Sequence, residues 1–251
     1  MNSFLLVVTA VVGYLIGSIN WALIISSSRN RDIREMGSGN PGTLNMSRNF
    51  GLKFGLLTFF LDVLKGALPT LAAFFIFRGK HFENSVFMLS DFAVYLCGLS
   101  VVLGHIFPVY LKFKGGKGIA STIGVFIVAE SVHGLGWAAV AVTALVAAAV
   151  FIYITEFGAM GSFIAITPPA ISGSIYLFIN YGFKGADGVC VAFHIVSNML
   201  ILAICFFTWF AHRKNIERML AGDEHPTSFK SMIVKAKAKK MQEQKEKERK
   251  D

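Results

Sequence analysis

The chain of 251 residues is 54% hydrophobic, with 24 phenylalanines and only 16% charged residues, and it holds repeated near-uncharged runs about as long as a bilayer is thick. A soluble helical bundle is excluded, because its helices would show a polar face at a period of about 3.6, and runs such as Trp137 to Ile154 offer none. The net charge of +9 does not point to nucleic acid: 12 of the 24 Lys and Arg residues lie in the last 41, where a basic tail following a membrane span is drawn to anionic lipid headgroups.

The apolar runs predict an all-α, polytopic integral membrane protein of about seven transmembrane helices, at roughly 4–26, 52–77, 86–110, 118–132, 136–155, 160–180 and 189–210. The first run is too long and too weakly basic at its front for a cleaved signal peptide, so it is read as a span. The fourth, about 15 residues long, is short for a full crossing. Basic residues collect in loop 27–50 with four arginines, in loop 111–117 with three lysines and in the C-terminus; connections 78–85 and 181–188 have two and one. With seven spans those three basic segments share a side, which places the N-terminus outside and the C-terminus in the cytoplasm. The connection near Glu156 would also be cytoplasmic, yet it has no basic residue of its own. The expected organisation is a single membrane-embedded domain over 1–229 and a basic cytoplasmic tail over 230–251. Cys97, Cys190 and Cys205 lie in apolar runs without metal-type spacing and read as packing residues.

Three polar motifs fall on the expected cytoplasmic side. The first, DIREMGSGNPGTLNMSR over residues 32–48, has three glycines, Pro41 and several Ser, Thr and Asn residues. It is expected to form no regular helix and to leave backbone N–H groups to face an anion. Gly37, Ser38, Gly39, Asn40 and Asn45 are its candidate binding groups, and Arg48 adds a forked donor suited to phosphate.

The second motif, GHIFPVYLKFKGGKGIAST over 104–122, brackets Gly115 and Gly116 with Lys112, Lys114 and Lys117, and Gly118 opens the next helix. A helix N-terminus beside lysines suits a phosphate. It is not a Walker A loop, since Gly118 stands where Ser or Thr would hold magnesium. Snorkelling anchor lysines would explain the charge but not four glycines. His105 precedes Pro108, which should distort the helix end. Two readings of His105 stand side by side: a packed, hydrogen-bonded residue, or a proton acceptor beside the anion loop.

The third, HRKNIERMLAGDE over 212–224, follows the last span, and its spacing places Ile216, Met219 and Leu220 on one side as an amphipathic turn. From there Asn215 is able to point into the other motifs. Asp62 and Lys65 share a helix face in the second span, as an ion pair of functional or clamping purpose. His194 and Asn198 form an i,i+4 pair for which interhelical bonding is expected.

These three segments, with DVLKG downstream of the first, resemble the motifs of the bacterial glycerol-3-phosphate acyltransferase family that uses acyl phosphate, the PlsY type, in order and spacing over about residues 10–225. The resemblance implies transfer of a fatty acyl group from acyl phosphate to the sn-1 hydroxyl of glycerol 3-phosphate, giving lysophosphatidic acid and phosphate in the bacterial cytoplasmic membrane. It implies that Ser38 and Arg48 are needed for activity and that Gly115, Gly116, Lys117 and Gly118 bind glycerol phosphate. It matches His212 and Asn215 to the third motif's histidine and asparagine, and gives Glu224 a structural part. The chain departs from the usual pattern at Thr43-Leu44, where the family has Ala-Thr, at Asn20 in place of Pro, and at Ala211 in place of Arg. No cofactor or metal is expected, and the partners are the two substrates and the bilayer. An acyl phosphate is already activated, so Ser38 is not cast as a nucleophile. Ser38 and Arg48 are assigned to the donor phosphate, and Lys114 and Lys117 to glycerol phosphate. A thioester-using acyltransferase would show H-x-x-x-x-D, which His105 with Tyr110 fails and His212 with Glu217 only approaches. A transporter for an organic phosphate is the alternative class, though it would place polar residues near the midplane.

Overall fold

The computed structural model describes residues 2–82, 85–182, 188–223, 227, 230–231, 233–234 and 241. Among them the regular structure is helical: α1 (Asn2–Gly17), α2 (Trp21–Ser27), α3 (Thr43–Phe50), α4 (Leu52–Phe77), α5 (Leu89–Ile106), α6 (Ile119–Ser131), α7 (Leu135–Thr155), α8 (Gly158–Leu177), α9 (Gly188–Ala211) and α10 (Arg213–Leu220). Among the described residues six spans are long and apolar enough to cross a bilayer: Asn2–Ser27, Leu52–Phe77, Leu89–Leu111, Leu135–Thr155, Gly158–Gly182 and Gly188–Ala211. The fourth expected span, α6, has 13 residues, a length of about 20 Å. Its residues from Ala120 to Glu130 are nearly all buried, so the short helix is wrapped by protein rather than lipid. Most of the basic tail and Glu224 lie outside the described residues.

The first span is broken. α1 ends at Gly17, and α2 restarts after Asn20, whose Oδ1 accepts the N–H of Leu23 at 3.0 Å. Lys65 Nζ donates to the Ile19 carbonyl in the break at 2.6 Å, supplying a partner that the interrupted ladder lost.

α5 is the most buried span and the hub, packing against α1, α4, α6 and α9. Glycines set how closely the helices cross. A Cβ on Gly66 would run into the Ser121 carbonyl and one on Gly124 into the Val63 carbonyl, so α4 and α6 meet backbone to backbone. Gly17 against Val101 and Gly104 against Tyr14 repeat the arrangement between α1 and α5. Ile106, Ile123, Phe126, Ile201 and Ile204 fill the centre between α5, α6 and α9.

Two expectations are corrected. The first motif is not irregular throughout: Thr43–Phe50 is α3, because the sequence after Gly42 has no further Gly or Pro until Gly51. Asn198 does not bond across helices; its Nδ2 donates to the His194 carbonyl of its own helix at 3.0 Å.

Candidate active site

α5 stops at Ile106, before Pro108, which has no N–H to continue the ladder. After the 3-10 turn Val109–Leu111 the chain reverses through Lys112 and Phe113, both left-handed at φ 52° and 60°. The returning strand lies on the helix end: Gly115 N–H donates to Ile106 O at 3.0 Å and Gly116 N–H to His105 O at 3.1 Å. No side chain fits between. A Cβ on Gly115 would meet His105 and Ile106 carbonyls, and one on Gly116 would meet His105 Nε2 and lie 3.2 Å from Pro41 O of the first motif. Gly118 turns the chain into α6 with a positive φ of 83°.

His105 is buried beneath this loop. Its Nδ1 lies 3.2 Å from Ser121 Oγ on α6 and 3.8 Å from Asp62 Oδ1 on α4, and Asp62 pairs with Lys65 at 2.9 Å. Through Lys65 and Ile19 the chain of polar contacts reaches the break in the first span. Four helical segments are thereby tied to the underside of the glycine-lysine loop.

The first motif is shaped from within by Asn45. From its buried place on α3 its Nδ2 donates to Ile33 O at 3.2 Å and Met36 O at 2.9 Å, while its Oδ1 accepts Ser38 N–H at 3.2 Å and Asn49 Nδ2 at 2.9 Å. Gly37 and Gly39 take the left-handed φ values of 57° and 69° that this turn requires. Ser38 stands exposed at its tip. Arg48, also exposed, donates from Nε to Thr227 O at 3.3 Å.

In the third motif, α9 ends at Ala211 and His212 leads into α10. His212 is buried, and its Nδ1 lies 2.8 Å from the Thr208 carbonyl. A carbonyl only accepts, so Nδ1 carries the proton and Nε2 keeps its lone pair. Burial, with Lys117 nearby, lowers the imidazole to about 4. Its own carbonyl accepts Asn215 N–H at 2.8 Å, and Asn215 Oδ1 accepts a hydrogen bond from Lys117 Nζ. Of the expected amphipathic face, Ile216 and Met219 are half-buried and Leu220 is exposed.

The three motifs meet at one cavity of about 220 Å³, lined by Asn40 of the first, Lys114 to Lys117 of the second and Arg213 of the third, with Phe107, Phe113 and Phe210 as its apolar wall. Ser38, Arg48, His105, His212 and Asn215 are not in that lining; Asn215 reaches it through Lys117, and Gly37, Gly39 and Asn45 build the turn that carries Asn40. Sequence reasoning missed Arg213, Thr208, Ser121 and Thr227. Arg213 and Ser121 lie inside the quoted motifs, and Thr208 left a signal four residues before His212 on the same helix face. Among the described residues no group of three or more His, Cys, Asp and Glu is placed to hold a metal ion, and the three cysteines are buried and free.

The glycerol-3-phosphate acyltransferase family model matches residues 7–222. The chain belongs to that family. A glycerol-3-phosphate acyltransferase of Thermoanaerobacter sp. (strain X514) is 35% identical over 229 residues, covering 90% of this chain and 98% of the relative. One from Aquifex aeolicus (strain VF5) is 35% identical over 226 residues, covering 90% and 99%. The crystal structure of PlsY (YgiH), an integral membrane glycerol 3-phosphate acyltransferase, in its glycerol 3-phosphate form matches with a TM-score of 0.63 at 31% identity, covering 88% of this chain and 94% of that one. Its lysophosphatidic acid form gives 0.64 at 30% identity. This glycerol-3-phosphate acyltransferase family member is thus a multi-pass membrane protein of the PlsY type, and the transport alternative finds no support among these relatives.

Proposed function

We propose that this protein transfers a fatty acyl group from acyl phosphate to the sn-1 hydroxyl of glycerol 3-phosphate in a bacterial cytoplasmic membrane, with its site facing the cytoplasm. The observation that carries the reading is the junction of Lys117 with Asn215 at the cavity where Asn40, the glycine-lysine loop and Arg213 meet. Two phosphates must meet: the cavity lining offers Lys114, Lys117 and Arg213 as cations to one, and the first motif, which joins the cavity at Asn40, takes the other. The phenylalanine wall beside them suits the start of an acyl chain.

Lys114 and Lys117 hold the acceptor's phosphate, with Asn215 fixing the Lys117 side chain. Ser38, Arg48 and backbone N–H groups of the first motif hold the donor phosphate. The acceptor hydroxyl oxygen attacks the donor's carbonyl carbon, the bond from that carbon to the phosphate oxygen breaks, and the departing phosphate takes the hydroxyl proton. No covalent enzyme intermediate is needed, because phosphate is already a good leaving group. His105, buried against Gly116 and Ser121, serves as a support for the loop. The relative whose crystal forms carry glycerol 3-phosphate and lysophosphatidic acid supplies the same acceptor and product chemistry. Lys117→Met should raise the KM for glycerol 3-phosphate about tenfold or more in protein reconstituted in vesicles. An unchanged KM would remove Lys117 from the acceptor site.

A further inference from the structure

Thr227 lies beyond α10, yet it is only 2% exposed. Its N–H donates to the Glu156 carbonyl at 2.9 Å, and its own carbonyl accepts Arg48 Nε at 3.3 Å. Gly158, the first residue of α8, has no side chain to keep it out: a Cβ there would lie 2.7 Å from Thr227 Cγ2 and 3.2 Å from Leu44 Cδ1. Thr227 therefore fills the gap between the start of α8 and α3. Three residues on, Lys230 N–H donates to Glu156 Oε1 at 3.3 Å and Lys230 Nζ to Ile154 O at 3.2 Å. Glu156 thus holds this part of the chain twice, once through its carbonyl and once through its carboxylate. It is placed to do so by the left-handed turn, φ 60°, that closes α7.

An arginine is a long side chain with many rotamers, and a ligand that must order it loses affinity. A carbonyl fixed on Nε sets the plane of the guanidinium before the ligand arrives. We infer that Thr227, clamped by Glu156 against the α7–α8 turn, is a positioning strap for Arg48. Thr227 touches no reacting group; it acts through the arginine. The inference rests on the assignment of Arg48 to the donor phosphate, and it gives the start of the basic tail a task inside the membrane domain.

The test uses the full chain in vesicles, with KM and kcat measured for each substrate and thermal midpoints measured in parallel. Thr227→Pro removes the N–H that reaches Glu156. Gly158→Val wedges the same segment from the other side and decides the matter if Thr227→Pro does not fold. Thr227→Val keeps the N–H, the carbonyl and a γ-methyl, and removes only a hydroxyl that has no hydrogen-bond partner among the described residues. The expected result is a KM for acyl phosphate raised about tenfold by Thr227→Pro and Gly158→Val, an unchanged KM for glycerol 3-phosphate, and behaviour restored by Thr227→Val. In an Arg48→Lys background Thr227→Pro should add nothing, because both act on one interaction. If Arg48→Lys cuts turnover while Thr227→Pro and Gly158→Val leave the donor KM alone, the strap is overturned and the assignment of Arg48 stands. If Arg48→Lys itself leaves the kinetics unchanged, the assignment falls and takes the strap with it.

Discussion

Gly115 and Gly116 stand out in the sequence as loop glycines beside lysines, which suggests freedom to wrap an anion. Their surroundings give a stricter reason: the returning chain lies against the last carbonyls of α5, and neither position has room for a methyl group. Gly116→Ala should therefore displace the loop against His105 and Pro41, and a shift approaching an ångström lowers kcat/KM on the order of a hundredfold. Assay of the reconstituted variant checks this, and retention of most of the activity would show that the loop position does not matter. His212 gives a pH prediction. Its folded value, lowered to about 4, lies below that of the unfolded chain, so the unfolded state binds more protons as pH falls below the ordinary histidine range. Stability contributed by neutral His212 is complete above about pH 6.5 and is lost progressively toward pH 4. The thermal midpoint of His212→Gln should accordingly fall less between pH 7 and pH 5 than that of the unaltered protein. Parallel slopes would refute the buried neutral imidazole. None of this was legible from the residues alone, since His105 and His212 each look the same in a sequence whether they line a cavity or support it.

At the scale of elements, hydropathy located every long span because a bilayer imposes a length that soluble folds do not. It did not resolve the break at Ser18 to Asn20, since those residues cost little hydropathy, nor α3, whose helix is hidden behind the glycine-rich turn before it. It marked α6 as short without saying why. The reason is the crossing with α4, where glycines on both helices put backbone against backbone and leave α6 enclosed by protein. Gly124→Ala should destabilise the fold by about 1–3 kcal/mol, seen as a lower thermal midpoint in detergent. Gly136→Ala, at a site on α7 with nothing within 4 Å of the added atom, should be neutral or slightly stabilising. The Asp62–Lys65 pair, legible as an intramembrane pair from its spacing, proves to be the centre of a support that joins the break in the first span to the loop. Lys65→Met alone leaves a buried carboxylate and should cost about 3–5 kcal/mol. Adding Asp62→Leu should recover part of that loss, and a double variant worse than the sum of the singles would contradict the account.

Across the whole molecule, the polar motifs gather at one end of the helices because three segments far apart in sequence share only that end. Their convergence was readable as an expectation from the clustering of basic residues. The contact of Lys117 with Asn215 was not, because nothing in the spacing fixes which pair meets across 98 positions. The connection at Glu156, without a basic residue of its own, receives Lys230 from the tail. The proposed orientation is tested by membrane-impermeant maleimide in intact cells: His81→Cys, in the connection between α4 and α5, should label from outside, and Tyr110→Cys only after permeabilisation. The reverse pattern would invert the topology.

The proposed reaction is tested most directly by mass spectrometry of the purified protein incubated with a fatty acyl phosphate and glycerol 3-phosphate. Lysophosphatidate and inorganic phosphate should form in equal amounts, with no product when acyl-CoA replaces the acyl phosphate. Product formed from acyl-CoA, or none from acyl phosphate, would contradict it.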